Sequence, residues 1–421
     1  MIAPPLDLLS AFGFAVAVIA AGFVTFRRPA WGVALLLFVE PFAFYHSLGR
    51  TTITLPKAVL AGILLALLVK RVPVRVLWSP QARPLTIGAL ALVAANALSA
   101  IPATYIDVVA RETLKSLEYA IVFGCCVVAS VADRDLRPFR FALLAVVTLV
   151  SLAALAQEFT GAPSAASVGG HIVQRVAGPL EGPNQLAGYL GLAVPVLAAL
   201  ALLARDRLAL GVCALAFLSL VLTLSRAGIA STIASIGLIL VVSRGANARL
   251  ALGAVAGACV TALGGLAAVG GLSRVFSVQE VSSPDGLATR SQLWGAAIAL
   301  WKRSPLLGVG AGNYELEVPS TGLEGVRTHA NSLYLQALAE GGMPLLAATL
   351  WTVYASIATF ARAGLRDPLA IGIMAASLGF ALHQILDLLV FFPKIGTFWW
   401  ILLGVGVGRI IDAHEHDAQA A

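Results

Sequence analysis

The sequence predicts an all-α protein that crosses a membrane many times. Of its 421 residues, 59% are hydrophobic and 12% are charged, whereas soluble domains carry about 25% charged residues. The mean hydropathy is +0.91. Apolar runs of roughly 20 residues, the length that a helix needs to cross a bilayer, recur along nearly the whole chain. We therefore expect a polytopic integral membrane protein with about 12 transmembrane helices.

The apolar runs predict about 12 or 13 spans. They cover residues 8–26, 31–45, 55–69, 84–100, 116–132, 139–157, 184–204, 207–224, 227–243, 249–270, 343–361, 368–391 and 395–411. The segment 31–45 is short for a span and contains Glu40-Pro41. It therefore leaves open a broken or re-entrant helix instead of a full span.

Basic residues concentrate in alternate short loops. These are Arg27-Arg28; Lys70, Arg71, Arg75 and Arg83; Arg134, Arg137 and Arg140; Arg205 and Arg207; Arg244 and Arg249; and Arg362 and Arg366. The positive-inside rule places these loops in the cytoplasm and the loops between them outside. The sequence thus predicts a single membrane domain over 1–421, with a large outward insertion at 271–342 and a smaller outward loop at 158–183. Chemistry on a large polar substrate is expected in these outward segments.

The charged residues outside the membrane exclude some classes of partner. The net charge of +7 comes from short loops beside the membrane, where anionic lipid explains it, so no nucleic acid is expected. Asp133 and Asp135 resemble a metal-binding carboxylate pair, but they fall in a short cytoplasmic turn. In the outward loops, Asp107 and Glu112 flank one helix start and Asp285 stands alone. We therefore expect neither a metal nor a cofactor.

The large insertion contains one helical pattern followed by a glycine-rich turn. The helical spacing is carried by Arg290, Trp294, Ile298 and Trp301. Such a helix can lie in the membrane interface or pack on the bundle. The glycines at 308, 310 and 312 follow no strand, so they indicate a turn and not a phosphate-binding loop.

His329 is the candidate general base of the insertion. It is the only histidine in 271–342, and histidine is the side chain that titrates near neutral pH. Thr328 can cap a helix that begins near His329. On that helix His329, Gln336 and Glu340 would share one face. The alternative is a structural histidine at a helix start.

Three arginines stand at predicted outward positions. Arg175 precedes Pro183-Asn184, which begin a membrane helix whose N-terminus favours anions. Arg226 lies at the junction of two spans, where a cation is costly unless it meets an anion or water. Arg290 opens the helical pattern of the insertion. Each guanidinium group can bind two phosphate oxygens through two parallel hydrogen bonds. Converging arginines therefore predict a site that binds a diphosphate. The alternative for each is a solvated or snorkelling arginine.

His383 and Asp387 favour a different class of function. They are four residues apart inside a predicted span, where ionisable groups are costly. They are consistent with the proton relay of a transporter. A buried pair that holds two helices together is equally consistent with the pattern.

Several of these segments resemble the bacterial O-antigen ligase and polymerase superfamily. The signature loop of that superfamily is similar to His329-Ala-Asn-Ser-Leu-Tyr-Leu-Gln-Ala-Leu-Ala-Glu340-Gly-Gly, with Arg290-Ser-Gln-Leu-Trp and Pro305-Leu-Leu-Gly-Val-Gly-Ala-Gly-Asn-Tyr before it. Arg175 to Asn184 and Leu224-Ser-Arg226-Ala-Gly resemble its other recurring segments. Together these segments span roughly 172–345, and the first 150 residues match only in hydropathy.

The resemblance implies a glycosyltransferase of GT-C-like architecture in the bacterial inner membrane, with its active site facing the periplasm. Such enzymes take a glycan from undecaprenyl pyrophosphate and join it to a sugar hydroxyl. The acceptor is the lipid A core oligosaccharide for a ligase, which we favour, or a second carrier-linked glycan for a polymerase. A lipid-linked sugar flippase is the alternative of another class.

The resemblance also assigns residues. It places Arg226 and Arg290 on the pyrophosphate, with Arg175 beside them, and His329 in the catalytic site, where Glu340 would orient the ring. The implied mechanism inverts the anomeric centre without a metal.

Overall fold

The computed structural model describes residues 7–42, 45–48, 51–161, 164–168, 171–243, 290–363 and 367–420. The predicted span 249–270 and the first part of the large insertion, 271–289, lie outside these residues.

The described part of the chain is almost entirely helical. It contains α1 (Leu8–Arg27), α2 (Pro29–Val39), α3 (Leu55–Val69), α4 (Arg83–Leu98), α5 (Ile106–Ala132), α6 (Arg137–Thr160), α7 (Pro183–Leu203), α8 (Arg207–Leu222), α9 (Arg226–Val242), α10 (Arg290–Arg303), α11 (Tyr314–Glu317), α12 (Leu333–Arg362), α13 (Pro368–His383) and α14 (Pro393–Ala420). Two antiparallel hairpins pair β1 (Tyr45–Leu48) with β2 (Thr51–Thr54) and β3 (Ser164–Val168) with β4 (His171–Arg175). Two short 3₁₀ helices cover Val74–Trp78 and Val318–Thr321.

Six of the described helices are long and apolar enough to cross a membrane, namely α1, α5, α6, α7, α12 and α14. Six shorter apolar helices accompany them. Large apolar side chains of α1, such as Phe12 and Ile19, are exposed on the outer surface, as expected where lipid covers the bundle. The prediction of an all-α polytopic membrane protein is therefore confirmed.

Helix α7 lies at the centre of the bundle and is buried along nearly its whole length. It packs against α8, α9 and α13, while α5 packs along α14 and α4 along α12. The approach of α13 to α7 requires glycine. A Cβ atom added at Gly372 would lie 2.8 Å from the Cα atom of Val196. Small residues of this kind let membrane helices come into close contact.

Three predicted helix boundaries are wrong. The span 31–45 ends at Val39, because Pro41 has no amide hydrogen to continue a helix, and β1 follows at Tyr45. Helix α5 begins at Ile106 instead of at 116. Its polar first turns are helical because ion pairs within the helix stabilise them. These pairs join Arg111 to Asp107 at 3.7 Å and Lys115 to Glu112 at 2.5 Å.

The third wrong boundary is the end of the span 368–391. Helix α13 stops at His383, and residues 384–392 form a non-helical connection to α14. The side chain of Gln384 holds this connection, since its Oε1 accepts hydrogen bonds from the amides of Leu389 at 2.9 Å and Val390 at 3.1 Å. Asp387 therefore lies in the 384–392 connection and not inside a helix.

One end of the bundle, the basic end, carries the predicted cytoplasmic loops. Ion pairs join neighbouring helices there: Arg28 with Asp133 at 3.2 Å and with Asp135 at 3.1 Å, Arg134 with Asp412 at 2.9 Å, Arg140 with Asp206 at 2.6 Å, and Arg409 with Asp367 at 2.9 Å. The Asp133 and Asp135 carboxylates are thus engaged by arginine. The opposite end, the site end, is where α7, α9, α12 and α14 begin.

Candidate functional site

The described part of the insertion forms a small core of its own at the site end. Its buried side chains are Leu293, Ala297, Leu300, Val309, Tyr314, Val318, Val326, Ala330 and Ala339. Tyr314 donates a hydrogen bond from its hydroxyl to the Leu293 carbonyl oxygen at 2.6 Å, which joins α11 to α10. The predicted helix over Arg290–Trp301 is confirmed as part of α10. This helix packs against α12.

The glycine-rich segment after α10 is a turn, as predicted. Gly308, Gly310 and Gly312 have φ angles of 68°, 106° and 74°, a region that side chains disfavour. The amide of Val309 donates to the Ala339 carbonyl at 2.9 Å, and that of Gly310 donates to the Glu340 carbonyl at 2.8 Å. These amides satisfy carbonyls of α12, just before its kink at Gly342. The segment therefore fastens the insertion to α12.

Glu340 is buried beneath this turn. Its Oε1 accepts hydrogen bonds from Gln336 Nε2 at 2.7 Å and from the Tyr314 amide at 3.3 Å. Gln336 in turn accepts from the Ala330 amide at 2.8 Å. Gln336 and Glu340 share one helix face, as predicted. Their contacts tie α11 and residue 330 to α12.

His329 lies outside the helix, contrary to the prediction that Thr328 caps a helix there. Helix α12 begins at Leu333, because Asn331 takes a left-handed conformation with φ of 50° and turns the chain first. The carboxylate that contacts His329 is Glu315. The Nδ1 atom of His329 is buried and lies 2.8 Å from Glu315 Oε1, off the line of a well-formed hydrogen bond. The contact with His329 lowers the pKa of Glu315 against the opposing effect of burial.

Aromatic residues of the 384–392 connection pack on the His329 ring. The centroid of Phe391 lies 4.1 Å from that of His329, and Phe392 lies 6.3 Å away. Lys115 of α5 also contacts Phe391. Its Nζ lies 4.2 Å from the Phe391 ring centroid and donates to the Phe391 carbonyl at 3.3 Å. Helix α5 and the connection therefore fix where the imidazole ring sits.

Phe391 also lines a cavity of about 110 Å³. Its wall nearer the site end carries Glu112, Lys115, Gln336 and Glu340, and its interior is lined by apolar side chains that include Trp399 and Trp400. This cavity could not be predicted from the sequence, because its lining comes from four separate helices and the 384–392 connection.

Arg175 is held at the site end by backbone and amide groups. The side chain of Gln157 accepts hydrogen bonds from the amides of Ala177 and Gly178, both at 2.9 Å, and so fixes the chain after β4. Arg175 donates from Nε to the Thr223 carbonyl at 2.8 Å and from Nη2 to Asn184 Oδ1 at 2.9 Å. It therefore bridges the first turn of α7 and the turn that precedes α9.

Arg226 and Arg290 begin α9 and α10 and lie near each other. Burial lowers the pKa of Arg290, the charge of Asp387 raises it, and the charge of Arg226 lowers it. Mutual influence of this kind requires that the three charges lie in one region. Since Arg175 also contacts the Thr223 carbonyl, three residues before Arg226, we refer to Arg175, Arg226 and Arg290 as the arginine cluster.

The 384–392 connection relates the arginine cluster to His329. Its Asp387 acts electrostatically on Arg290, while its Phe391 packs on His329. The amide of Leu333, at the start of α12, donates to the carbonyls of Gln384 at 3.0 Å and Asp387 at 3.1 Å. The 384–392 connection thus contacts both His329 and the start of α12, and it carries the carboxylate that acts on the arginine cluster. Sequence reasoning missed this role because the segment is continuously apolar around Asp387.

Part of the chain matches a known protein family. Residues 211–350 match the family described as O-antigen ligase. This stretch contains Arg226, Arg290, His329 and Glu340, whereas Arg175 and the 384–392 connection lie outside it. No curated protein matches the chain. This match confirms the predicted resemblance to the O-antigen ligase and polymerase superfamily over residues 211–350.

Proposed function

We propose that this protein is a lipopolysaccharide O-antigen ligase of the bacterial inner membrane. It transfers O-antigen polysaccharide from undecaprenyl pyrophosphate to a sugar hydroxyl of the lipid A core oligosaccharide, at the periplasmic face. The observation that carries this proposal is the gathering of three arginines and a histidine–carboxylate contact at one end of a membrane bundle. Two of these arginines and the histidine belong to the stretch that matches the O-antigen ligase family.

The arginine cluster binds the pyrophosphate of the donor. Helices α7 and α9 both begin beside the cluster, and helix N-termini attract anions. Guanidinium groups offer paired donors to phosphate oxygens. Arg290 is partly buried, and in the described residues its Nε has no hydrogen-bond partner. A diphosphate would satisfy this donor, and burial would strengthen the attraction.

His329 activates the acceptor. Its Nδ1 faces Glu315 at 2.8 Å, so Nε2 is the nitrogen that takes the proton of the acceptor hydroxyl. The hydroxyl oxygen attacks the anomeric carbon, and the bond from that carbon to the pyrophosphate oxygen breaks with inversion. The electron pair leaves on the pyrophosphate, where the arginine cluster offsets the new charge. Glu315 takes the orienting role that the sequence had assigned to Glu340.

The position of the cluster disfavours a flippase. Transporters of lipid-linked sugars need a site that opens to both faces, near the middle of the membrane. Arg226 and Arg290 instead begin their helices, and Asp387 follows the end of α13. The groups that we assign to the donor therefore lie at one end of the bundle.

The test is transfer by purified protein. Carrier-linked glycan is supplied with lipid A core oligosaccharide in one reaction and with a second carrier-linked glycan in another. A ladder of modified lipid A core is the expected result, and it should persist in excess chelator. Elongation of the carrier-linked glycan alone would show a polymerase. Transfer to neither acceptor would refute the proposal.

A further inference from the structure

Besides His329 Nδ1, three buried side-chain nitrogens at the site end have no hydrogen-bond partner in the described residues. They are Arg290 Nε, Trp294 Nε1 and His383 Nε2. Buried polar groups in folded proteins are nearly always paired, so a group left unpaired calls for an explanation. The sequence pattern singled out His383, and the proposed mechanism does not use it.

The position of His383 relates it to the arginine cluster. It is the last residue of α13, and only 2% of its surface is exposed. A Cβ atom added at Gly228 would lie 3.1 Å from His383 Cε1, so the ring packs on the first turn of α9, next to Arg226. The charges of Asp387 and Arg290 both act on the ring.

Trp294 lies on the same helix as Arg290, in the insertion. It follows Arg290 by one helical turn of α10, so both side chains lie on one face of that helix. The Nε1 atom of Trp294 and the Nε atom of Arg290 are both buried. Two of the unpaired nitrogens therefore lie on one side of α10, and the third lies near enough to Arg290 to feel its charge.

Pairing with Asp387 does not account for the buried Nε2 atom of His383. Helix α13 ends between the two residues, and among the described residues no ion pair within 4.0 Å joins them. Asp387 Oδ1 accepts from the Leu388 amide at 2.8 Å instead. The sequence-based alternative of a His–Asp pair that ties two helices is therefore wrong.

We propose that His383 and Trp294 donate hydrogen bonds to the pyrophosphate oxygens of the carrier-linked donor. This inference rests on the proposed function and adds an uncharged half to its donor site. Guanidinium groups hold the charge, while the imidazole and indole N–H groups fill the remaining acceptor positions of the ligand. Pyrophosphate oxygens accept and do not donate, so two N–H donors suit this ligand.

The test measures binding of undecaprenyl pyrophosphate to the purified full-length protein in detergent micelles. Trp294→Phe keeps a ring and loses the N–H, and His383→Leu removes both imidazole nitrogens. Each should weaken binding roughly 10-fold or more, because a hydrogen bond to a charged group is lost. His383→Gln, whose amide N–H can replace Nε2–H, should restore most of the affinity.

Tyr189→Phe is the matched control. The Tyr189 hydroxyl is also buried without a partner, but its ring stacks on Phe398 at 4.5 Å, away from α10. Its removal should leave binding unchanged. Wild-type affinity in both Trp294→Phe and His383→Leu would overturn the inference, and so would a His383→Gln protein that binds as weakly as His383→Leu. Failure of the wild-type protein to bind would refute the proposed donor site itself.

Discussion

The two ends of the bundle use arginine in different ways. At the basic end, Arg28, Arg140 and Arg409 each lie within 3.2 Å of an aspartate oxygen on another segment. At the site end, Arg175 is held by a carbonyl and an amide oxygen, and Arg290 has a buried Nε without a partner in the described residues. The arginines of the basic end therefore join helices through carboxylates, whereas we propose that those of the site end bind the ligand.

Of the changes that test this comparison, removal of Arg290 should lower the transfer rate most. Arg290→Ala and Arg290→Lys should each lower the transfer rate roughly 100-fold or more, since two hydrogen bonds to a charged oxygen pair are lost and lysine lacks the fork. Transfer from carrier-linked glycan to lipid A core, measured on folded protein, provides the test. Near-normal activity in Arg290→Lys would show that charge alone suffices.

Glu315→Ala should have the next largest effect. Without the carboxylate at 2.8 Å from His329 Nδ1, the ring loses its orientation, and turnover should fall roughly 10-fold at unchanged donor binding. Glu317→Ala on the same short helix is the matched control, because Glu317 faces Arg303 at 4.0 Å. Equal losses in both variants would mean that Glu315 acts only by holding α11.

The smallest effect is expected at the basic end. Arg140→Ala removes the ion pair with Asp206, in which the Arg140 side chain is 43% exposed. Such a pair contributes about 1 kcal/mol or less to stability. Thermal unfolding should shift only slightly, and the transfer rate of the folded protein should stay the same. A large loss of transfer activity in Arg140→Ala would contradict the proposed difference between the two ends.

The sequence predicted the helices and the arginines for physical reasons. Apolar runs must be helical in lipid, because backbone groups there cannot bond to water. Alternation of basic loops put Arg175, Arg226 and Arg290 at one end, where the structure brings them together. These predictions needed only local composition and topology.

The wrong or missing predictions depend on contacts between distant segments. Helix α13 ends at His383 because the Gln384 side chain bonds to amides five and six residues later, within a run that is otherwise apolar. Glu315 meets His329 only because Asn331 turns the chain before α12. Helical spacing had suggested Glu340 as the partner, since it assumed that the helix already included His329.

The most direct test of the central claim separates donor binding from chemistry at His329. Carrier-pyrophosphate binding and single-turnover transfer are measured on the same preparations of His329→Ala and Arg290→Ala. His329→Ala should bind the donor as the wild-type protein does and transfer roughly 10² to 10⁴ times more slowly, because a general base acts in the transition state. Arg290→Ala should lose donor affinity. Transfer at the wild-type rate by His329→Ala would contradict the account, and the histidine would then be only a structural contact of Glu315 and Phe391.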